Sequence, residues 1–262
     1  MVDLLFDRKL LRQNQKRYEN SFSNYSFLYH EIAQLIADEI ASLSANFNNM
    51  IEISAKDDFL TNSIMKSQKV KQKLLSTLNK CDFSDIVYDE ENIPLKKESF
   101  DLVVSNLNLQ HINEVPKFLV QVHEILRKEG LFVMSFFGEN NLLELKKAVF
   151  EAENKIFGGF SPRFIPVIDI KNAANLLQKA GFSDCVSMLH TINVDYSNPV
   201  NILKDLKFMG QGNILKLRSR NFATSKFLDE ILKIYARIAK NEDSTLNVKY
   251  EIVIAMGWKN KK

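Results

Sequence analysis

Apolar positions recur along this chain with two different periods. Over 27–43 (FLYHEIAQLIADEIASL), Leu28, Ile32, Leu35, Ile36, Ile40 and Leu43 return every three or four residues, which predicts a helix with one apolar face. A shorter amphipathic helix is predicted over 4–18. By contrast, FDLVVSNL (100–107) and LFVMSFFG (131–138) are nearly continuous apolar runs rich in β-branched and aromatic residues. They read as strands buried on both faces. Between them, 115–130 reads as a helix with its C-cap at Gly130, where a positive φ costs little. A strand–helix–strand run implies a parallel sheet with a right-handed crossover.

The rest of the chain extends this pattern. Further strands are predicted at 50–54, 71–78, 85–89, 185–196 and 248–259, the last with Val248, Tyr250, Ile252 and Ile254 on one face. Helices are predicted at 142–157, 169–182, 200–210 and 223–240, with Asp169 as an N-cap and Gly181 as a stop. Residues 158–166 (GGFSPRFIP) form a loop. Alternating strands and helices predict an α/β, doubly wound sheet. The late strands lack βαβ spacing and fit an antiparallel edge pair. The expected organisation is a single domain over 1–262, with N-terminal helices (1–46) and helical cap insertions at 139–167 and 197–243.

Composition narrows the function classes. The 35 basic and 32 acidic side chains leave a net charge of +3, too small to argue for a nucleic-acid partner. The lysines at 69, 71 and 73, and those at 259, 261 and 262, read as solvated surface. No apolar run is long enough to span a bilayer, and the N-terminal stretch has no secretory h-region. Cys81 and Cys185 stand far apart and suggest neither a disulfide framework nor a zinc site. The expectation is a soluble, cytoplasmic protein. His30, His111, His123 and His190 show no ligand spacing, so no metal is expected. Glycine is scarce, at 8 residues, where a nucleotide-binding α/β protein ordinarily has several in its first loop.

The stretch 100–153, together with FDRKLLRQNQKR, GGFSPRFIP, LLQKAGF, NILKDLKFMGQGN and YEIVIAMGWK, resembles the class I S-adenosylmethionine (SAM) methyltransferases. Within them it resembles the mitochondrial complex I assembly-factor branch and, as a second group, the malonyl-carrier-protein O-methyltransferases of biotin synthesis. The resemblance implies a Rossmann-like, seven-stranded sheet of order 3-2-1-4-5-7-6 with strand 7 antiparallel. It implies SAM as cofactor and, for the assembly-factor branch, a respiratory complex I subunit as partner and arginine hydroxylation as the chemistry. For the second group it implies methylation of a carboxylate.

Carried over residue by residue, the resemblance sets Glu52 at the acid that ends the first strand. Ser54, Lys56 and Asp58 fall where that family's loop has glycines. Lys56 could meet the SAM carboxylate, whereas Asp57 and Asp58 would repel it but could meet the amine. The alternative is a loop that no longer holds SAM. The ribose-gripping acid of the second strand falls near Leu78, which cannot accept those hydrogen bonds; Asp82 is the nearby alternative. Asp89, followed by Glu90, matches the acid that accepts from the adenine amine, or forms a solvated acidic turn. Ser105 and Asn106 match the segment lining the cleft. Gln110 and His111 follow; His111 is a candidate general base by position, or a surface histidine. Arg163 could hold a carboxylate, or serve a rigid cap connection.

Overall fold

The computed structural model describes residues 4–219, 224–239 and 246–260. Residues 223 and 240, at the ends of one predicted helix, part of the 197–243 insertion, and Lys261 and Lys262 lie outside the described residues. Seven strands form one sheet: β1 (Phe47–Glu52), β2 (Val70–Thr77), β3 (Ile86–Val87), β4 (Phe100–Ser105), β5 (Leu126–Phe137), β6 (Ser183–Tyr196) and β7 (Leu246–Trp258). Their order is β3-β2-β1-β4-β5-β7-β6. Neighbours from β3 to β5 are parallel, with Glu52 level with Leu75 on β2 and Val104 on β4. β7 runs antiparallel to β5, since Gly138 N–H donates to Glu251 O while Leu142 N–H donates to Lys249 O. The expected sheet, including the antiparallel seventh strand, is therefore what the chain forms.

Eight α-helices are described: α1 (Arg8–Tyr18), α2 (Phe27–Ser42), α3 (Phe59–Lys66), α4 (Val115–Ile125), α5 (Leu143–Phe157), α6 (Ile170–Lys179), α7 (Pro199–Phe208) and α8 (Ser225–Ala239). α1 starts later than its apolar pattern, because Asp7 caps it by accepting from Leu10 N–H and Phe6 pairs in a bridge with Leu215. On α2, Leu28, Ile32, Ile36 and Ile40 are fully buried, as the periodicity predicts. Asp169 caps α6 as expected, and Gly181 ends it at φ +100°.

One predicted cap is wrong. α4 stops at Ile125 and β5 begins at the next residue, so Gly130 lies inside a strand. Glu129, not Gly130, takes the left-handed conformation, at φ 62°. Gly130 is needed for a different reason: a Cβ there would sit 2.8 Å from the Arg127 carbonyl oxygen. The pairing of β5 with β4 shifts register in this region, between Phe100 and Leu102, and an irregularity of this kind takes up the extra residues.

The chain divides into two compact units. The first comprises 1–21, 137–167 and 190–252, and in it α5 packs on α8, with Ala148 and Ala152 fully buried on α5. The second comprises 22–136, 168–189 and 253–262. Its core is built from Ile51, Ile53, Val103, Phe118, Val122, Phe132, Met134 and Val253. Burying such side chains contributes about 1.5–3 kcal/mol each, so the parallel strands of this unit are held in place, and with them the residues at their C-terminal ends. Among the described residues no helix is long and apolar enough to cross a membrane.

Candidate functional site

In open α/β sheets ligands sit outside the C-terminal ends of the strands where the strand order reverses. Here that point lies between β1 and β4. Glu52 ends β1 and is 3% exposed. Its Oε2 atom is buried and has no hydrogen-bond partner. Burial above all holds its pKa well above the usual carboxylate range; Asp57 and Asp58 push the same way, against Lys73 and Lys56.

The next residues form the loop that the family fills with glycines. Ser54 lies past the strand end, not within it as predicted, at φ 57° and buried. It therefore adopts the left-handed turn that a glycine adopts freely, at a cost of about 1–2 kcal/mol. The turn is held from below: Ala55 N–H donates to Ser76 O (2.8 Å), and Ser76 Oγ donates to Glu52 O (3.1 Å). Lys56 is half-buried and Asp58 is exposed at the start of α3. The Asp57 side chain is turned toward α2, where its Oδ2 lies 2.6 Å from His30 Nε2, while its Oδ1 accepts from Phe59 N–H. The His30 ring stacks on Phe59, centroids 4.0 Å apart and 12° from parallel. His30 is thus a loop support that no local pattern announces, since its partner is 27 residues away.

At the end of β4 the turn is again left-handed, with Leu107 at φ 48°. Ser105 is buried, its Oγ 3.5 Å from Ile53 O. The Asn106 amide is spent on scaffolding: Nδ2 donates to Tyr29 O at 3.0 Å, and Oδ1 accepts from Ser135 Oγ at 2.8 Å. Asn108 is fully buried, and neither its Oδ1 nor its Nδ2 has a partner. Sequence reasoning passed over it, because a polar residue in an apolar run gives no sign of its own burial. Gln110 Nε2 donates to Leu107 O (2.7 Å). His111, also open to reading as a surface residue, is 1% exposed, since the 3-10 turn Leu109–His111 folds it inward.

After β3, Asp89 is half-buried and its Oδ1 accepts from Glu91 N–H, making a closed acidic turn; Glu90 is buried. Leu78, just past β2, is buried and apolar, and Asp82 is exposed in the following turn. The structure therefore gathers Glu52, Ser54, Lys56, Asp89, Glu90, Ser105, Asn106 and His111 in the second unit at the strand ends. Arg163 belongs to the first unit, where its Nε donates to Glu153 Oε1 at 2.6 Å and its guanidinium lies 4.7 Å over the Phe227 ring. Glu153, buried in α5, also accepts from the Ser161 hydroxyl. The carboxylate that Arg163 meets belongs to its own chain.

The lysine-rich stretches are not simply solvated. Lys69 Nζ donates to Leu43 O, Lys73 Nζ to the Asn62 side chain, and Lys259 Nζ to Leu126 O. Leu43 caps the C-terminus of α2 and Leu126 opens β5, whereas Asn62 lies within α3.

Comparison with known proteins agrees with this architecture. The family model for the methyltransferase domain matches residues 39–134. RP459 of Rickettsia prowazekii (strain Madrid E), whose name places it among methyltransferases, is 32% identical over 198 residues, covering 72% of this chain and 86% of that protein. A methyltransferase from Bacillus halodurans C-125 superposes with a TM-score of 0.55 at 16% identity, over 87% of this chain and 99% of that one. The chain belongs to the class I SAM-dependent methyltransferase family. Within it, the human mitochondrial arginine-hydroxylase NDUFAF5 is 28% identical over 266 residues, covering 97% of this chain and 77% of the human protein.

The strand ends satisfy that family's cofactor requirements unevenly. An acid ends β1 and an acidic turn follows β3. No acid ends β2, and the first loop carries side chains where the backbone must approach a ligand closely. The set does not reproduce the full grip on SAM.

Proposed function

We propose that this chain is a methyltransferase-fold protein whose grip on SAM is weakened or lost, and that it acts as a complex I assembly-factor-like protein. The first loop carries the reading. Ser54 strains to make a glycine's turn, and Asp57 is tied to His30 rather than left open beside Glu52. With Leu78 past β2, no side chain at that position accepts from a ribose. The partner in this reading is a respiratory complex I subunit, consistent with the likeness to a mitochondrial relative over nearly the whole chain. Calorimetry with SAM at millimolar concentration tests the first half: no heat and no melting shift are expected, whereas saturation at ~100 times Kd would add about 2.7 kcal/mol of stability. Co-purification with a complex I subunit, retained in Glu52→Ala and Asp89→Ala variants, tests the second half. Loss of partner binding in both variants would count against it.

A second reading, an active SAM-dependent methyltransferase, is favoured by Glu52 and Asn108, whose buried polar atoms lack partners inside the chain. A clear SAM-dependent melting shift, abolished by Glu52→Ala, selects it. The relatives' arginine-hydroxylase name supports a third chemistry, which requires a metal and an oxidant. It is tested by assaying hydroxylation of an arginine peptide with and without chelator.

A further inference from the structure

The first unit leaves three large aromatic rings in solvent. Phe150, Phe157 and Phe160 are 43%, 56% and 67% exposed. Phe150 and Phe157 both stand on α5, and the exposed Lys147 and Asn154 share their face. Steps of three, four and three residues join Lys147, Phe150, Asn154 and Phe157, which is the spacing of a coiled-coil seam.

The face is held ready. Phe150 meets Phe160 edge-on with centroids 5.8 Å apart and Phe164 at 5.7 Å, while Phe157 leans on the buried Phe227 at 5.2 Å. The flanking charges are neutralised inside the unit, Glu151 by Arg237 and Lys155 by Glu230, each at 2.6 Å. Lys147 is exposed and makes no ion pair among the described residues.

Whatever covers this face must suit Asn154 as well as the rings. Pressed into lipid, its carboxamide would lie between two phenylalanines without partners, which costs free energy. A carboxamide carries donor and acceptor together, so across a two-fold axis it pairs with its own copy. Let two α5 helices run antiparallel with Asn154 on that axis. At ~1.5 Å per residue, Phe150 then lies about 6 Å to one side and Phe157 of the second copy about 4.5 Å to the same side. Ring meets ring on both sides of the axis. Lys147, about 10.5 Å out, reaches the second copy's helix end, where the last carbonyls carry partial negative charge. Gly158 and Gly159 follow that end, and a Cβ on either would meet nothing within 4 Å, so the lysine stem has room. A parallel pair would instead set the two Lys147 side chains against each other. We propose that this chain forms an antiparallel homodimer through α5, centred on Asn154.

At ~200 Å² per ring, the three phenylalanines expose roughly 330 Å² per copy. Two copies therefore bury less than the ~1,200 Å² of a stable interface, and the dimer is a weak one. Sedimentation velocity of the full chain from about 1 to 500 µM should show the weight-average coefficient rising from monomer to dimer, half-way near ~100 µM. Phe157→Glu should stay monomeric throughout, and Lys147→Glu should raise Kd about tenfold. Thermal melts at low concentration check that both fold as the parent does. Oxidised with diamide, Asn154→Cys should form a covalent dimer. Lys147→Cys, whose copies lie roughly 21 Å apart, should not, nor should the parent with Cys81 and Cys185. A parent that stays monomeric, or a Phe157→Glu variant that associates like it, would overturn the proposal. A dimer that Asn154→Cys fails to trap would overturn the placing of the axis, and equal trapping by Lys147→Cys the antiparallel arrangement. A monomer that floats with vesicles of equimolar phosphatidylcholine and phosphatidylglycerol, and loses this in Phe157→Glu, would give the face to lipid instead.

Discussion

Glu52 and Glu153 are both buried glutamates, at 3% and 1% exposure, and the chain treats them in opposite ways. Glu153 is met by Arg163, by the Ser161 hydroxyl and by Ser161 N–H. Glu52 has an oxygen with no partner, and two aspartates nearby. A buried carboxylate that is fully paired is a structural fixture; one left open is a burden unless something from outside meets it. The contrast separates a fully paired fixture of the first unit from strand ends of the second that still carry the outline of a binding site.

The sharpest way to break the contrast is to unpair Glu153. Arg163→Ala should destabilise the protein by about 3–5 kcal/mol, because it leaves a buried carboxylate alone. Urea denaturation reads this, and a loss below ~1 kcal/mol would place Arg163 with ordinary surface pairs. Glu52→Gln should do the reverse and stabilise the protein by about 1–2 kcal/mol at neutral pH. Its pKa in the folded state lies above the free value of 4.5. The folded protein therefore holds the proton more tightly than the unfolded chain. The benefit is fully present below that value and is lost as pH rises toward the folded pKa. Melting temperatures of the parent should accordingly fall over that window, and those of Glu52→Gln should fall less. Equal slopes would mean that Glu52 is not the titrating group.

Two smaller effects concern the loop. Ser54→Gly relieves a turn costing about 1–2 kcal/mol but gives the unfolded chain about 0.4–1 kcal/mol more entropy, so a net gain of about 0.5 kcal/mol is expected. A loss instead would show that the Ser54 side chain supports the loop. His30→Ala should cost about 0.5 kcal/mol, since its pair with Asp57 is about one-third exposed and screened by solvent. Hydrogen exchange at Phe59 N–H should quicken in that variant, and unchanged exchange would mean the pair does not hold the loop.

The sheet was readable from the sequence because its central strands are continuous apolar runs, and 100–107 and 131–138 lie close to β4 and β5. The start of β5 was not. Arg127, Lys128 and Glu129 interrupt the apolar run, yet Glu129 N–H donates to Lys259 O and Lys259 N–H to Gly130 O. Backbone pairing with a residue just past β7, more than a hundred residues away, leaves no periodic mark. The same holds for the candidate site. The missing glycines at 54, 56 and 58 are visible in the sequence, whereas the His30–Asp57 tie, the buried Asn108 and the inward His111 depend on contacts that only the folded chain creates.

The order β5-β7-β6 also has a consequence in time. Among the described residues β6 has no neighbour but β7, and β7 begins about fifty residues after β6 ends. During synthesis β6 must therefore wait, unpaired and alternating in polarity, until the segment that will separate it from β5 has left the ribosome. Closing so long a connection is slow, and an unpaired strand edge invites other chains meanwhile. A chaperone bound to the nascent chain should be held longest in that interval, after residue 196 and before residue 258.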